Sequence, residues 1–287
     1  MEQSYASING TLTTLADARI PARDRGLQYG DGLFETMRAL DGSVCFLEEH
    51  LARLTNGMVV LGIPAEGVEL RVRAGMRQVL AELASTPVCY VKAIVTRGTG
   101  PGGPTMKGAF TPTVAVIAAA DDRERGTPVR AVTSTVVRNE RSALANVKSL
   151  NYTEMLLARG EAQDAGVDEA IVLNTHGRVA EASAANVFAL QGSVLLSPAN
   201  EEGCLPGIVR NEVVALAKRE GIGVSLGQLT PAILAAADEA FLTNSGIGVA
   251  ALVELDGSEI GNGARGNVTM RLAAAYEKVE RESATSP

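Results

Sequence analysis

A polar segment that ends in glycine and proline divides this chain and most constrains how it can fold. It reads Asp121-Asp122-Arg123-Glu124-Arg125-Gly126-Thr127-Pro128 and follows an apolar, strand-like stretch, Thr113–Ala120. Such segments typically connect domains, because few core contacts can cross them. The 287 residues also exceed the usual size of one domain, so the length fits two domains or one large α/β unit. The sequence therefore predicts a smaller N-terminal domain over 1–120, a linker over 121–128 and a larger C-terminal domain over 129–287.

The composition narrows the classes of function. Hydrophobic residues make up 46% and charged residues 21% of the chain, which is typical of a globular protein. The net charge of −7, from 26 basic and 33 acidic residues, disfavours a nonspecific nucleic-acid binder. Scattered cysteines and two histidines lack metal-ligand spacing, so no metal site is predicted. Without a signal-peptide pattern or a membrane-length apolar window, we expect a cytoplasmic protein that binds neither membranes nor nucleic acid.

Local patterns in both parts of the chain predict a fold that mixes helices and strands, α+β or α/β. Asn9-Gly10 between Tyr5–Ile8 and Thr11–Leu15 predicts a hairpin. Apolar spacing predicts helices over Glu48–Leu61, Val68–Leu83, Tyr152–Ala165, Asn211–Glu220 and Val268–Glu280. The glycine- and proline-rich stretch 97–108 predicts a mobile surface loop, and residues 283–287 are expected to be disordered.

Lys148 and Glu181 are the candidate catalytic pair. A lysine amine can condense with an aldehyde, and a carboxylate can hold the proton of a pyridinium ring, as pyridoxal phosphate chemistry requires. Small neighbours of Glu181, Ala180 and Ala182 among them, would let a planar ring approach. Taken singly, a lysine of this kind is more often a surface residue whose stem covers apolar neighbours, and Glu181 could be an exposed carboxylate at a strand end.

A possible phosphate site lies in the run Leu205-Pro206-Gly207-Ile208-Val209, which precedes a predicted helix. Free N–H groups at a helix start can bind phosphate, and Arg53 could supply the charge. Proline and glycine are also common before helices without any ligand. The glycine-rich stretch Gly98–Gly103 resembles a dinucleotide fingerprint, but Pro101 and Pro104 and the lack of a following helix argue against that interpretation.

Together these segments resemble the fold-type IV pyridoxal phosphate enzymes, which include branched-chain aminotransferases, D-amino acid aminotransferases and 4-amino-4-deoxychorismate lyases. The resemblance covers about residues 10–250 and implies a two-domain fold, with a smaller α/β domain before a strand-rich one. Its motifs occur in the family's order: Asp24-Arg25-Gly26, Tyr29-Gly30-Asp31-Gly32-Leu33-Phe34-Glu35-Thr36, His50-Leu51-Ala52-Arg53-Leu54, Lys148-Ser149-Leu150-Asn151-Tyr152, Glu181 with Asn186-Val187-Phe188, and Leu205-Pro206-Gly207-Ile208-Val209-Arg210.

The resemblance implies a role for each matching residue. Lys148 would form a Schiff base with pyridoxal 5′-phosphate and move the proton through a quinonoid, while Glu181 would bind the pyridine nitrogen and Tyr152 the phenolic oxygen. Leu205 would pack on the ring. The phosphate site would comprise Arg53, Gly207, Ile208, Val209, Asn244 and Ser245. Val209 stands where many members have threonine, so one hydroxyl contact is lost. The family also implies a homodimer.

The resemblance leaves the reaction open. Gly102-Gly103-Pro104 replaces the Arg-x-His that traps the substrate carboxylate in well-known D-amino acid aminotransferases, so Lys92 or Lys107 would have to anchor it. Phe34 and Thr36 complete the predicted substrate site. We expect a transaminase that acts on a D-amino acid, such as D-alanine or D-glutamate, with 2-oxoglutarate. The alternatives are a lyase that releases pyruvate from 4-amino-4-deoxychorismate to give 4-aminobenzoate, a branched-chain L-amino acid aminotransferase, and a non-catalytic relative. Thr36, Lys92 and Asn244 resemble residues of the lyases.

Overall fold

A computed structural model describes residues 4–287 as two compact units. The first unit extends to residue 122 and also contains residues 147–151 and 280–287. The second unit contains residues 123–146 and 152–279. The two-domain division drawn from the sequence stays a prediction. Residues 121–128, the expected linker, fall partly in each unit.

The first unit is built on a six-stranded sheet with three helices. Its strands are β1 (Ser4–Ile8), β2 (Thr11–Thr14), β3 (Gly32–Leu40), β4 (Ser43–Val44), β5 (Val88–Thr99) and β6 (Thr111–Ala120), in the order β2-β1-β6-β5-β3-β4. Its helices are α1 (Arg25–Tyr29), α2 (Leu47–Leu61) and α3 (Val68–Ala81). The predicted hairpin is confirmed, and its turn has positive φ at both Asn9 and Gly10, as an Asn-Gly turn favours.

The core of the first unit lies between one face of this sheet and the helices. Leu51, Leu54 and Met58 of α2 are buried, as the helical spacing predicts. On β5, the side chains of Val91 and Ala93 are fully buried in this core, while the alternate residues between and beside them are only half-buried. The strand period of two therefore leaves one face of β5 outside the helical core.

The second unit is built on a nine-stranded sheet, and the four helices that follow residue 152 belong to it except for the last turn of the final one. Its strands are β7 (Val129–Arg138), β8 (Glu169–Asn174), β9 (Val179–Ala182), β10 (Asn186–Gln191), β11 (Val194–Pro198), β12 (Gly223–Gly227), β13 (Glu239–Asn244), β14 (Gly248–Leu255) and β15 (Ser258–Glu259). The order is β12-β11-β10-β13-β14-β7-β8-β9, and β15 pairs with β14. The helices are α4 (Thr153–Asp164), α5 (Ile208–Arg219), α6 (Pro231–Ala235) and α7 (Asn267–Glu282).

Two expectations differ from the structure. The fifth helix begins at Ile208 rather than Asn211, so Ile208 and Val209 are its first residues and not part of the preceding loop. The last residues are ordered, contrary to the prediction, because Thr285 forms an antiparallel bridge with Val44 and the carbonyl of Pro287 accepts a hydrogen bond from Arg77. Within residues 4–287, no helix is long and apolar enough to cross a membrane.

Candidate active site

Lys148 is held in the first unit by backbone hydrogen bonds to β3. Its carbonyl accepts from the N–H of Phe34 at 3.0 Å, and the N–H of Leu150 donates to Gly32 at 2.9 Å. Ser149 completes a bridge to Leu33. The amine Nζ of Lys148 lies 4.5 Å from the centroid of the Phe34 ring. The strand therefore fixes both the backbone of this lysine and the aromatic surface beneath its amine.

A second lysine amine lies against the same ring. Nζ of Lys92 on β5 is 4.8 Å from the Phe34 centroid, and Lys92 is paired in register with Thr36 on β3. Burial lowers the pKa of the Lys92 amine. Phe34, Thr36 and Lys92 share one face of the sheet, because they occupy alternate or opposite positions on neighbouring strands. Three of the four predicted substrate residues thus lie together with Lys148.

Arg53 forms a bidentate ion pair with Glu35, a buried residue of β3. Its Nε and Nη2 atoms donate to the two carboxylate oxygens at 2.8 and 2.6 Å, and Nδ1 of His50 lies 2.7 Å from Oε2 of Glu35. Burial raises the pKa of Glu35, but the charge of Arg53 and the hydrogen bonds from Arg53 and His50 lower it to about 2. Burial also lowers the pKa of His50. This cluster holds the Arg53 guanidinium in a defined orientation.

In the second unit, Glu181 on β9 is buried, and each of its carboxylate oxygens has a partner. Its Oε2 accepts from the backbone N–H of Leu205 at 2.9 Å, and its Oε1 lies 3.6 Å from Nη2 of Arg138. Arg138 also donates to the carbonyls of Ala145 and Gly203. The alternative of an exposed carboxylate at a strand end is therefore wrong for Glu181, because neighbouring segments enclose it.

Tyr152 stands at the N-cap of α4, and its hydroxyl donates to the carbonyl of Ser183 at 2.6 Å. Burial, followed by the nearby charge of Glu181, raises the pKa of Tyr152 to about 12. The hydroxyl of Ser183 donates in turn to the buried Glu169, which Arg159 also contacts at 2.7 Å. Tyr152 is consequently a fixed, protonated phenol near neutral pH.

The start of α5 has the features of an anion site. Within the described residues, no side chain caps this 12-residue helix at Gly207, so the N–H groups of Ile208 and Val209 begin the helix without a side-chain acceptor at the cap. Nδ2 of Asn186 donates to the carbonyl of Leu205 at 2.8 Å, and a Cβ atom on Gly207 would collide with Oδ1 of the same amide. This close approach requires glycine at 207.

A buried hydroxyl next to this helix start also fits a ligand. Oγ1 of Thr243 has no hydrogen-bond partner within the described part of the chain, and Thr243 is paired in register with Asn186. The residues of the second unit suit pyridoxal phosphate: a carboxylate, a phenol and a helix start for its ring nitrogen, phenolic oxygen and phosphate.

The predicted phosphate residues Asn244 and Ser245 form the turn between β13 and β14. Oδ1 of Asn244 accepts from the N–H groups of Gly246 and Ile247, both at 2.8 Å, and its Nδ2 donates to the carbonyl of Ala184. Arg125 donates to the carbonyls of Ser245 and Gly246.

Two arginines of the expected linker, Arg123 and Arg125, thus lie at this turn, and sequence reasoning missed them. Their partners are more than a hundred positions away, so no local pattern could have found them.

Lys107 differs from the other candidates, because it is exposed and its backbone N–H and carbonyl bond to the hydroxyl of Thr105. The base of its loop is firmly anchored. Asp31 receives hydrogen bonds from both Arg25 and Arg97, and Phe110 lies 5.4 Å from each guanidinium carbon. Among residues 4–287, no hydrogen bond or ion pair joins Lys107 to Phe34, Thr36 or Lys92.

Comparison with known proteins identifies the family. The model of amino-transferase class IV matches residues 32–255. A predicted branched-chain-amino-acid aminotransferase of Methanocaldococcus jannaschii is 36% identical, with 95% of each chain covered. A D-alanine aminotransferase of Listeria monocytogenes is 32% identical, with 92% of each covered. The crystal structure of 4-amino-4-deoxychorismate lyase from Pseudomonas aeruginosa has a TM-score of 0.83 at 32% identity, covering 95% of this chain and 98% of that one.

These matches confirm the fold class and the family resemblance inferred from the sequence motifs. Class IV aminotransferases use pyridoxal 5′-phosphate, so the predicted cofactor is confirmed as well. The chain belongs to the class IV aminotransferase family.

Proposed function

We propose that this protein is a transaminase that moves an amino group between an amino acid and a 2-oxo acid such as 2-oxoglutarate. The observation that carries the proposal is the pair of lysine amines on the Phe34 ring, at 4.5 Å for Lys148 and 4.8 Å for Lys92. The amine of Lys148 is suited to hold the cofactor. The amine of Lys92 is a half-buried cation that can bind a carboxylate of the substrate.

The residues have distinct tasks in this proposal. The bound cofactor supplies an electron sink for the negative charge that develops at the substrate Cα. Lys148 removes the Cα proton, and its fixed backbone keeps the amine over Phe34. Glu181 would hold a proton on the ring nitrogen, and Tyr152 would bind the phenolic oxygen. Leu205 would pack on the ring, while Arg53, the N–H groups of Ile208 and Val209, and the Asn244–Ser245 turn would bind the phosphate.

Lys92 is a better carboxylate anchor than Lys107. Lys92 is partly buried on a strand beside Phe34, whereas Lys107 is exposed in a loop. A partly desolvated ammonium interacts more strongly with a carboxylate than an exposed one. We propose D-amino acids such as D-alanine or D-glutamate as donors, and the 32% identity to a D-alanine aminotransferase supports that choice.

Two other reactions have support in specific observations. The cross-strand pair of Thr36 and Lys92, together with 32% identity to an aminodeoxychorismate lyase, favours pyruvate elimination from 4-amino-4-deoxychorismate. The 36% identity to a predicted branched-chain-amino-acid aminotransferase favours L-valine, L-leucine or L-isoleucine. The homodimer and the cytoplasmic location expected from the sequence are further parts of the proposal.

One set of assays separates these reactions. The purified protein with pyridoxal phosphate should be yellow, and Lys148→Ala should lose both the covalently held cofactor and all activity. D-alanine or D-glutamate with a suitable 2-oxo acid should give the corresponding amino-group exchange, detected by chiral chromatography. Transfer from branched-chain L-amino acids alone would replace the D-amino acid proposal. Pyruvate release from aminodeoxychorismate, with no transfer from any amino acid, would replace the transaminase with the lyase.

A further inference from the structure

We infer that Glu169 and Ser183 are positioning residues, which act on the cofactor through Tyr152. This inference rests on the proposed function, in which Tyr152 binds the phenolic oxygen of pyridoxal phosphate, and it adds two residues outside the predicted site. All three belong to the second unit. Glu169 is the first residue of β8, Ser183 follows β9, and Tyr152 stands at the N-cap of α4.

Ser183 is held by each of its polar groups. It is buried, its backbone N–H donates to the carbonyl of Ala170 at 2.9 Å, and its hydroxyl donates to the Glu169 carboxylate. Its carbonyl accepts from the Tyr152 hydroxyl at 2.6 Å. Because the N–H and the hydroxyl are both anchored on β8, the carbonyl is held in one direction. The position of the Tyr152 hydroxyl is therefore set by residues of a strand that is distant in sequence.

Glu169 is a buried carboxylate whose contacts fix both of its oxygens. Oε1 accepts from the N–H of Ala170 at 2.9 Å and from the Ser183 hydroxyl, and Oε2 accepts from Nη1 of Arg159 at 2.7 Å. A buried carboxylate needs such partners, because its desolvation is otherwise costly. The carboxylate is thus a fixed part of the fold rather than a solvated surface group.

These contacts form a closed ring that includes α4. Arg159 lies on this helix about two turns beyond Tyr152, and the two side chains reach the same pair of Ser183 and Glu169. The ring runs from Tyr152 through this pair to Arg159 and back along the helix. Each member of a closed ring resists displacement of the others, so the Tyr152 phenol is preorganised for a ligand.

The Glu169 carboxylate also acts on the Tyr152 hydroxyl through its charge. Burial, followed by the charges of Glu181 and Glu169, raises the pKa of Tyr152 to about 12, while Arg138 and Arg159 act in the opposite direction. A hydroxyl has one proton, which can rotate from one acceptor to another. Tyr152 therefore stays a donor, and it can turn its proton from a backbone carbonyl to a phenolic oxygen while its ring stays in place.

The first test measures the pyridoxal phosphate affinity of the apoprotein, which does not depend on turnover. Tyr152→Phe should bind the cofactor more weakly than the wild type. Ser183→Ala, which keeps every charge, should bind it about 3- to 10-fold more weakly, the effect expected for one hydrogen bond. In the Tyr152→Phe background, Ser183→Ala should have no further effect, because the hydroxyl through which Ser183 acts is gone.

Ser134→Ala is the matched control for this series. Ser134 is also a buried serine of the second unit, and its hydroxyl donates to a different carboxylate, that of Glu161, at 2.6 Å. Its loss should leave the cofactor affinity unchanged.

The second test titrates the Tyr152 hydroxyl with alkali in Glu169→Gln, which removes the charge. The near-ultraviolet absorbance of each protein, minus that of its Tyr152→Phe counterpart, isolates this tyrosine. In Glu169→Gln, Tyr152 should titrate below the wild-type value of about 12 and closer to the ordinary 10, because a nearby negative charge is gone. Glu161→Gln should titrate like the wild type. A purely structural effect of Glu169 would not move this titration in a folded variant.

An equal loss of affinity on Ser183→Ala with and without the Tyr152 hydroxyl would overturn the inference, as would a Tyr152→Phe variant that binds the cofactor as tightly as the wild type. A loss in Ser134→Ala as large as that in Ser183→Ala would overturn it too. An unchanged Tyr152 titration in Glu169→Gln would remove Glu169 from it, and if that variant does not fold, the serine series decides alone. If the coupling is found but the wild type transfers no amino group, the proposed function fails and the positioning role stands.

Discussion

Glu35 illustrates how a single buried carboxylate can control both the site and the stability of the protein. It is 1% exposed, and its partners are Arg53, a predicted phosphate residue, and His50. The carboxylate keeps Arg53 oriented, and in the proposed function this orientation reduces the entropy lost when the guanidinium binds a phosphate. In the proposed function, Glu35 thereby contributes to cofactor affinity without touching the cofactor.

The pKa of Glu35 predicts an acid-sensitive fold. Its pKa falls from the ordinary 4.5 to about 2, against the effect of burial, because of the Arg53 charge and the Arg53 and His50 hydrogen bonds. A depressed carboxyl pKa contributes stability that is present above pH 4.5 and is lost as the pH falls towards 2. Burial lowers the pKa of His50, so acid also destabilises the fold below its ordinary 6.5. Urea unfolding of the apoprotein at pH 7, 4.5 and 3 should show this loss.

Glu35→Gln should be less stable at pH 7, because it leaves the Arg53 charge without its carboxylate, and its stability should depend less on pH below 4.5. Glu48→Gln is the matched control, since Glu48 pairs with Arg73 but its side chain is 69% exposed. Parallel pH profiles for the wild type and Glu35→Gln would show that the buried ion pair does not carry the effect.

At the scale of elements, the start of α5 combines a helix N-terminus with the side-chain amide of Asn186, which packs against Gly207. Gly207 has φ of −71°, which any residue can adopt, so only the contact with Asn186 excludes a side chain. The amide of Asn186 also holds the carbonyl of Leu205, the residue whose N–H binds Glu181. The predicted ring and phosphate sites are therefore coupled through one three-residue segment.

We predict that Gly207→Ala weakens pyridoxal phosphate binding by about 10-fold or more, since overpacking of this kind costs about 1–3 kcal/mol. The added methyl must displace Asn186 or the helix start. The double variant Asn186→Ala with Gly207→Ala should recover part of the affinity, because the colliding atom is gone. Fluorescence titration of the apoproteins with pyridoxal phosphate measures the cofactor affinity of the single and the double variant. No recovery in the double variant would show that the helix start is disturbed in another way.

The elements also show what could be predicted from the sequence. The spacing of Leu51, Leu54 and Met58 located α2 within one residue at its start, since apolar periodicity reports directly on burial. The start of α5 was misplaced by three residues, because Ile208 and Val209 follow a Pro-Gly pair that reads as a loop. Only their tertiary burial, at 7% and 2% exposure, shows that they belong to the helix.

No strand was predicted for β7, although its pairing with β8 and β14 places it within the large sheet. Its register shifts against both neighbours, and the carboxylates of Glu161 and Asp256 bind its backbone. Where the register shifts, these carboxylates bond backbone N–H groups that do not pair with a neighbouring strand, so polar residues can occupy this strand. Arg123 was missed for a related reason, because its contacts at Gly246 depend on tertiary structure alone.

At the scale of the whole molecule, both units contribute predicted site residues. Phe34, Arg53, Lys92 and Lys148 belong to the first unit, whereas Tyr152, Glu181, Leu205 and Asn244 belong to the second. The ordered motifs identify the family because the chemistry requires particular residue types at these positions. The hydrogen bonds that orient those residues, such as Tyr152 to Ser183, depend on packing and could not be predicted from the motifs.

The C-terminal segment shows how distant parts of the chain complete a unit. Val44 and Thr285 exchange two backbone hydrogen bonds at 2.8 and 3.0 Å, so residue 285 extends the sheet edge at β4. Arg77 of α3 donates to the carbonyl of Pro287 at 2.7 Å, and Arg38 of β3 pairs with Glu280. The segment therefore connects the edge of the sheet with a helix that covers it.

Deletion of residues 283–287 should accordingly destabilise the first unit. The loss should be at least about 2 kcal/mol, because the deletion removes both bonds between Val44 and Thr285, the bond from Arg77 to Pro287 and the bond from the N–H of Phe46 to the Ser283 hydroxyl, and each contributes about 0.5–1.5 kcal/mol net. Ser286→Ala is the control, since Ser286 is exposed and its side chain makes none of these contacts. Thermal unfolding of the apoproteins should show a lower midpoint for the deletion variant and an unchanged midpoint for the Ser286→Ala control. An unchanged midpoint in the deletion would mean that the bridge to Val44 adds no net stability, and that the ion pair of Arg38 with Glu280 suffices to hold the end of α7 in place.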